Sequence, residues 1–297
     1  MPRSILVLLA VALGLGSGRA RAAPPLTVRW MDVGPVLQQA LLKSLSERPL
    51  SERLSQVSSR FVGTPYAPSP LGEGRGFDPD PSLRFDAVDC LTFVEETIAL
   101  ALSRDLKELH AHLQALRYRR DAEYEDRNHL MEAQWLPNNL AKGYLRDVTV
   151  RYGGTGSVSA VKLIGADAWN SRGGQSLRLP KTRQVTGAFP LRWIPLEKAP
   201  EVLAAVPSGT LMVVVREDRP YRVTRVSHLG FLFRNGSRML IRHAAKSVYA
   251  RVVDEDLAHF LARNARYAYP VQGVALYQIT EPGPVPAASV RTASIAP

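Results

Sequence analysis

A chain of 297 residues with 45% hydrophobic and 22% charged side chains is ordinary for a globular protein and can bury a sizeable core. Its one cysteine, Cys90, excludes an internal disulfide and a multi-cysteine zinc site within a single chain. The formal charge of +11 calls for anionic surroundings, but the arginines are scattered along the sequence rather than clustered with aromatics, so nucleic acid is not the expected partner.

Arg3, the apolar run Ile5–Leu15 and the small-x-small pattern Ala20-Arg21-Ala22 read as a signal peptide over 1–22. The run falls short of the roughly 20 residues that span a bilayer, so no stable membrane insertion is expected after cleavage, and the mature protein is expected to be periplasmic or secreted. Losing Arg3, Arg19 and Arg21 lowers the charge by three and leaves the protein basic. Outside the cytoplasm the relevant anions are cell-wall carboxylates and phospholipid headgroups.

Residues 23–60 are expected to be a helical lead-in. Val36, Leu37, Ala40, Leu41 and Leu45 make one stripe, and Leu50, Leu54 and Val57 make another after Pro49. Phe61 to Pro81 is rich in Gly and Pro and reads as a long ordered loop. It leads into a core helix whose stripe is Leu91, Val94, Ile98 and Leu102, widened by Phe93 and Leu100, with Glu95, Glu96 and Thr97 left to solvent. Asp89 is its expected N-cap. A second helix covers Leu106 to Leu116; its His110 and His112 point to different faces.

From Val148 the pattern turns to strands. Short ones are expected at Thr149–Tyr152 and Ser157–Leu163, followed by an extended connection from Ala188 to Pro195. Clear strands follow at Leu211–Val215, Ser227–Phe233, Met239–His243 and Gly273–Ile279, with a helix at Asp254–Asn264. Asn235-Gly236 between two apolar runs is the strongest hairpin signal. Residues 281–297 cannot build a core and read as a disordered tail. With no internal repeat, 61–280 is expected to be one α+β domain.

Cys90 falls in the first turn of its helix, where orphan N–H groups and the positive end of the macrodipole favour a thiolate. A lone thiol in an oxidising compartment shifts its reading from packing to chemistry. A nucleophile needs a base, and the base needs an orienting group. His228 and His243 lie at matching distances from Asn235-Gly236, so they are expected to face one another across the hairpin. His259 reads as structural. No Ser-centred elbow, phosphate loop or H-E-x-x-H motif is present.

With these residues placed, the chain resembles the N-acetylmuramoyl-L-alanine amidase-like family within the NlpC-type papain-like cysteine peptidases of bacterial cell walls. The matching pieces are F-V-G-T-P-Y, D-C-L-T-F-V-E, R-N-H with Trp135 and Asn138-Asn139, P-S-G-T-L-M-V-V, V-S-H-L-G-F and R-H-A, over roughly residues 53 to 279. Leu130 after R-N-H and the Gly-rich stretch Leu71–Gly76 depart from the pattern. The resemblance implies a papain-like core, with the cysteine helix on an antiparallel sheet. It also implies hydrolysis of the amide joining N-acetylmuramic acid to L-alanine of the stem peptide. Cys90 would be nucleophile, His228 general base and acid, and His243 orienter; Tyr66, Asp89, Arg127 and His129 would surround a peptidoglycan or muropeptide substrate, Arg127 pairing with a stem-peptide carboxylate. No metal or cofactor is implied. A γ-D-glutamyl stem-peptide endopeptidase of the same fold, for which Asp89 is the one candidate to hold a free amine, and a non-catalytic peptidoglycan-binding module remain as alternatives.

Overall fold

Apolar periodicity near the start of the chain produces helices α1 (Pro35–Ser46), α2 (Leu50–Ser59), α3 (Cys90–Leu102) and α4 (Leu106–Arg117), and α5 (Leu136–Ala141) follows a π-helical turn at Met131–Trp135. The strands are β1 (Leu145–Asp147), β2 (Val158–Ile164), β3 (Gly187–Pro195), β4 (Thr210–Arg216), β5 (Val226–Asn235), β6 (Arg238–Ala245), β7 (Arg251–Asp256) and β8 (Val271–Ile279). Between them lie single helical turns, α6 (Thr149–Gly153), α7 (Ala166–Asn170), α8 (Arg172–Ser176) and α9 (Ala199–Leu203), and the longer α10 (Leu257–Asn264). This computed structural model describes residues 28–283. The expected signal peptide over 1–22 and most of the expected tail, beyond 283, lie outside the described residues; Glu281, placed in the tail by the sequence pattern, is ion-paired with Arg53.

The strands form one antiparallel sheet in the order β2-β3-β8-β4-β5-β6-β7, with β1 also on β8. Alternation along β4 divides the core. Leu211, Val213 and Val215 join Phe231 of β5 and Phe93, Val94 and Ile98 of α3 in one cluster, while Met212 and Val214 join Leu232, Ile241 and the α10 residues Leu257, Phe260 and Leu261 in the other. Both faces of the central strands are therefore covered, which is why β4 reads as a continuous apolar run. Each fully buried side chain on α3 contributes about 1.5–3 kcal/mol by leaving water, and Phe93, Val94 and Ile98 are all fully buried.

Several expectations need correction. Glu95, Glu96 and Thr97 are buried, because the loop before α3 and the helix α4 enclose the side left to solvent by the apolar stripe. Glu95 accepts from Trp135 Nε1 at 2.8 Å and lies beside Arg117, and Glu96 accepts from the Arg84 amide. Burial nonetheless pushes the Glu95 carboxyl up to about 7 and that of Glu96 well above the carboxylate range. Val36 and Leu37 are exposed, and Leu42 and Leu45 carry the buried side of α1. Thr149–Gly153 is a helical turn rather than a strand, and the extended stretch from 188 to 195 is β3, paired with β2. Asp254–Asp256 belong to β7, so the last helix starts at Leu257.

The loop before α3 is fixed at both ends. Tyr66 donates its amide to Ala250 O at 2.8 Å, and Ala67 donates to Val88 O at 3.0 Å, tying the loop to the approach of β7 and to the residue preceding Asp89. Among the described residues no helix is long and apolar enough to cross a membrane, and no group of three or more His, Cys, Asp or Glu side chains has a metal-holding arrangement.

Candidate active site

Asp89 starts α3 with a full capping box. Its Oδ1 accepts from the amides of Leu91 at 2.9 Å and Thr92 at 2.8 Å, its own amide donates to Thr92 Oγ1, and its Oδ2 accepts from the Ser69 amide at 3.1 Å. Every one of these bonds is internal, so Asp89 orients the helix start and the loop above it. The first helical residue is Cys90, half-buried at the wall of a cavity of about 440 Å³. Tyr66, His228 and His243 line the same cavity.

The hairpin turns at Gly236-Ser237 rather than at Asn235-Gly236. Asn235 pairs with Arg238, and Gly236 has φ of +60° while Ser237 keeps a negative φ, the pattern of a II′ turn. This shifts the register by two residues from the expected one. Continued from the Phe231–Arg242 pair, it sets His243 opposite Gly230 and His228 opposite Ala245, so the two histidines are diagonal rather than directly opposed. They meet all the same, with His228 Nε2 2.8 Å from His243 Nδ1 and the rings nearly perpendicular at 87°. Gly230 makes the approach possible, since a Cβ there would lie 2.8 Å from the His243 Cβ and 2.8 Å from the Arg242 carbonyl. The β5–β6 ladder stops at Phe231–Arg242; towards the cavity β5 continues on β4 and β6 on β7. Cys90, at the start of the helix packed on one face of the sheet, lines the same cavity as the two histidines.

His243 is buried, and its Nε2 lies 3.0 Å from Glu255 Oε2. Glu255 is also buried; it accepts from Arg263 Nη2 at 2.7 Å and lies 3.2 Å from His259 Nδ1. Despite its burial, the bonds from His243 and Arg263 hold its carboxyl below the usual range. The carboxylate has no proton to give, so His243 donates through Nε2, and the tautomer that carries its proton there accepts at Nδ1. His228 then donates through Nε2. The lone pair of His228 Nδ1 is then left without a partner among the described hydrogen bonds, in a ring that lines the same cavity as Cys90. Phe260 stacks on His228 at 5.9 Å and fixes the ring plane.

Burial pushes the Cys90 thiol up to about 12, with Asp89 adding to the rise, against the backbone hydrogen bonds of Leu229, Cys90 and Leu91. Burial also pulls His228 down to about 3, helped by His243 and Arg263. Burial therefore opposes the thiolate that the helix start favours, and it opposes the imidazolium of His228 as well. The Tyr66 hydroxyl is raised by burial, then by Cys90 and Asp89, and stays protonated.

Arg127 and His129 lie outside this cavity. Arg127 Nε donates to Glu73 at 3.0 Å and Nη2 donates to Asp78 at 2.9 Å, and the guanidinium stacks over Tyr124 at 5.0 Å. His129 Nε2 meets the Tyr124 carbonyl at 2.7 Å. Together they pin the loop around residues 73 to 78. Leu130 packs with Ile164, Ala168, Trp169 and Leu179. Glu255 escaped the sequence reading because D-E-D before an apolar stretch imitates the acidic first turn of a helix.

The sequence model of the family described as AmiA-like, N-acetylmuramoyl-L-alanine amidase-like, matches residues 56–267, which contain every residue lining this cavity except Ala268 and Tyr269. Among solved structures, a Legionella pneumophila protein of the DUF1460 family is similar at 24% identity and a TM-score of 0.74, over 84% of this chain and 96% of that one. An N-acetylmuramoyl-L-alanine amidase from Bacteroides uniformis is similar at 21% identity and a TM-score of 0.64, over 78% of this chain and 99% of that one. At these identities the likeness establishes the fold. No curated protein matches the chain in sequence.

Proposed function

Because the chain belongs to the AmiA-like, N-acetylmuramoyl-L-alanine amidase-like family, we propose that it is a cysteine amidase of peptidoglycan, cleaving the bond between N-acetylmuramic acid and L-alanine of the stem peptide. The observation that carries this reading is the chain from Glu255 through His243 to His228, ending in the cavity that Cys90 also lines. Such a chain serves acyl transfer. As the Cys90 sulfur attacks the lactyl amide carbonyl, its proton passes to His228 Nδ1, and the resulting imidazolium is stabilised through His243 by the Glu255 charge. Tyr66 and the Cys90 amide face the developing oxyanion. His228 then protonates the L-alanine nitrogen as the C–N bond breaks, and water, deprotonated by His228, hydrolyses the thioester. No step requires a metal.

Burial disfavours both charged partners, which gives this reading a specific form, in which His228 works as a general base at the moment of attack rather than as half of a standing ion pair. The endopeptidase alternative needs a carboxylate for a free peptide amine, and the Asp89 oxygens are already taken by three backbone amides. A cysteine helix on an antiparallel sheet also supports an NlpC-type papain-like core, and the leader at 1–22 supports action on the wall after export.

The test is mass spectrometry of defined muropeptides incubated with the mature protein and with Cys90→Ser. Release of the intact stem peptide by the wild type alone is expected, with turnover unaffected by chelator. Fragments cut after D-glutamate would move the function to the endopeptidase reading, and equal products from both proteins would remove Cys90 from the chemistry.

A further inference from the structure

The cavity beside Cys90 is lined by Arg216, Lys246 and Arg263 and by no aspartate or glutamate among the described residues. The nearest carboxylates are engaged: Asp89 by backbone amides, and Glu255 by His243, His259 and Arg263. The other two cations are not neutralised in this way. Arg216 donates Nε to Ser227 Oγ at 2.8 Å and Nη1 to the Tyr269 carbonyl, both neutral acceptors, and its guanidinium lies 5.3 Å from the rings of Tyr267 and Tyr269. Lys246 is exposed and has no ion pair among the described residues.

More positive charge collects behind them. Arg219 and Arg222 approach the same Tyr269 ring at 4.6 and 5.3 Å, so three guanidiniums share one aromatic ring. Of the carboxylates on this loop, Glu217 pairs with Arg219, and Asp218 turns away to the buried Lys162. These residues are far apart in sequence, and the pairing of Arg216 with Val271 at the end of the β4–β8 ladder brings them together. Gathering like charges with one matching carboxylate costs self-repulsion, which an incoming anion relieves. The arginine is also held planar between aromatic rings with part of its donor fork unspent, a preorganised acceptor for a carboxylate.

We infer that Arg216 and Lys246 form a carboxylate-binding subsite that selects the acidic over the amidated form of the stem peptide. The inference rests on the amidase reading for the identity of the peptide and assigns to this pair the role that the family resemblance implied for Arg127, whose donors Glu73 and Asp78 already occupy.

The subsite is tested by binding, which needs no turnover. Cys90→Ser protein is titrated calorimetrically with an intact muropeptide carrying free carboxylates, with the same molecule amidated at the glutamate carboxylate, and with one amidated at the C-terminal carboxylate. Amidation at one of the two positions is expected to weaken binding about tenfold, the size of one lost charge-assisted hydrogen bond, and the position affected identifies the bound group. In the Cys90→Ser background, Lys246→Gln and Arg216→Gln should each weaken the acidic ligand several-fold and leave the amidated one unchanged. Lys246 is solvent-facing, so its variant holds the test even where Arg216→Gln disturbs the Tyr267–Tyr269 packing. Equal affinity for all three ligands, or discrimination that survives both variants, would overturn the inference. Failure of the wild type to cleave, with discrimination intact, would count against the amidase reading and in favour of the subsite; cleavage at the expected bond without discrimination would do the reverse.

Discussion

Two clusters of histidine, arginine and carboxylate side chains flank the start of α3, and they differ in how their hydrogen bonds end. Around Arg127, Glu73 Oε1 and Asp78 hold the guanidinium, Glu73 Oε1 also takes the Tyr118 hydroxyl, and His129 meets the Tyr124 carbonyl, so that all but Glu73 Oε2 close on one another. Around His228, the bonds run in one direction, from Glu255 through His243, and finish on a ring that shares its cavity with the Cys90 thiol. A closed set fixes a loop. An open-ended chain leaves one atom with capacity for chemistry, and that distinction separates a structural polar cluster from an active site made of the same residue types.

The comparison breaks most sharply at Glu255, which should behave as a positioning residue. Glu255→Gln removes the charge that stabilises the imidazolium and offers an amide that can reverse the His243 tautomer, so kcat should fall about 100-fold with KM little changed. Glu255→Asp should recover part of the loss, and the pH dependence of kcat should shift in Gln but not in Asp. A fall in rate that merely follows a loss of folded protein, with an unshifted profile, would reduce Glu255 to a structural partner of Arg263.

The closed set should give the opposite result. Arg127→Gln strands Glu73 and Asp78, whose side chains are 4% and 16% exposed, and the expected cost is about 3 kcal/mol of stability, as for one partner removed from a buried ion pair. Urea denaturation measures the loss, and kcat and KM of the protein that stays folded should remain within about twofold of wild type. A tenfold rise in KM without loss of stability would return Arg127 to the substrate.

The open chain was the more legible of the two in the sequence. Asp89 followed by Cys90 and an apolar helical stripe is a local pattern, and the histidines were brought together by a hairpin whose turn could be read from Asn235-Gly236 even though its centre lies one residue later. The two-residue error in register did not separate them, because diagonal neighbours across a ladder are still within reach of two imidazoles. The remaining groups depend on tertiary pairing. Glu255 becomes a buried strand residue only because β7 pairs with β6, and Arg216 meets Tyr267 and Tyr269 only through β4 and β8. Glu95 and Glu96 look solvated on a helical wheel until the loop and α4 close over them. Arg127 and His129 belong to a motif whose residue types suit substrate contact or loop support alike, and what favours support, Glu73 and Asp78, stands some 50 residues earlier in the chain.

The smallest expected effect lies in the closed set and concerns pH. Burial pulls His129 down to about 4, with Arg127 and Arg117 adding to the fall and the bond to Tyr124 opposing it. Its unfolded value is about 6.5, so between pH 6.5 and 4 the unfolded chain binds a proton that the folded protein excludes. Stability from this residue is therefore complete above pH 6.5 and is lost as the pH falls towards 4, to a limit of about 3 kcal/mol. Glutamine at 129 can still donate to the Tyr124 carbonyl but has no proton to take up, so His129→Gln should flatten the acid limb and leave stability at pH 7 close to wild type. The flattening is partial, because His228 is lowered as well and contributes loss of the same sign from the open chain. Thermal melts at pH 7, 5.5 and 4.5 measure the slope. Parallel slopes in variant and wild type would mean that His129 takes up its proton without opening the loop, and that the Arg127 cluster is less closed than its hydrogen bonds indicate.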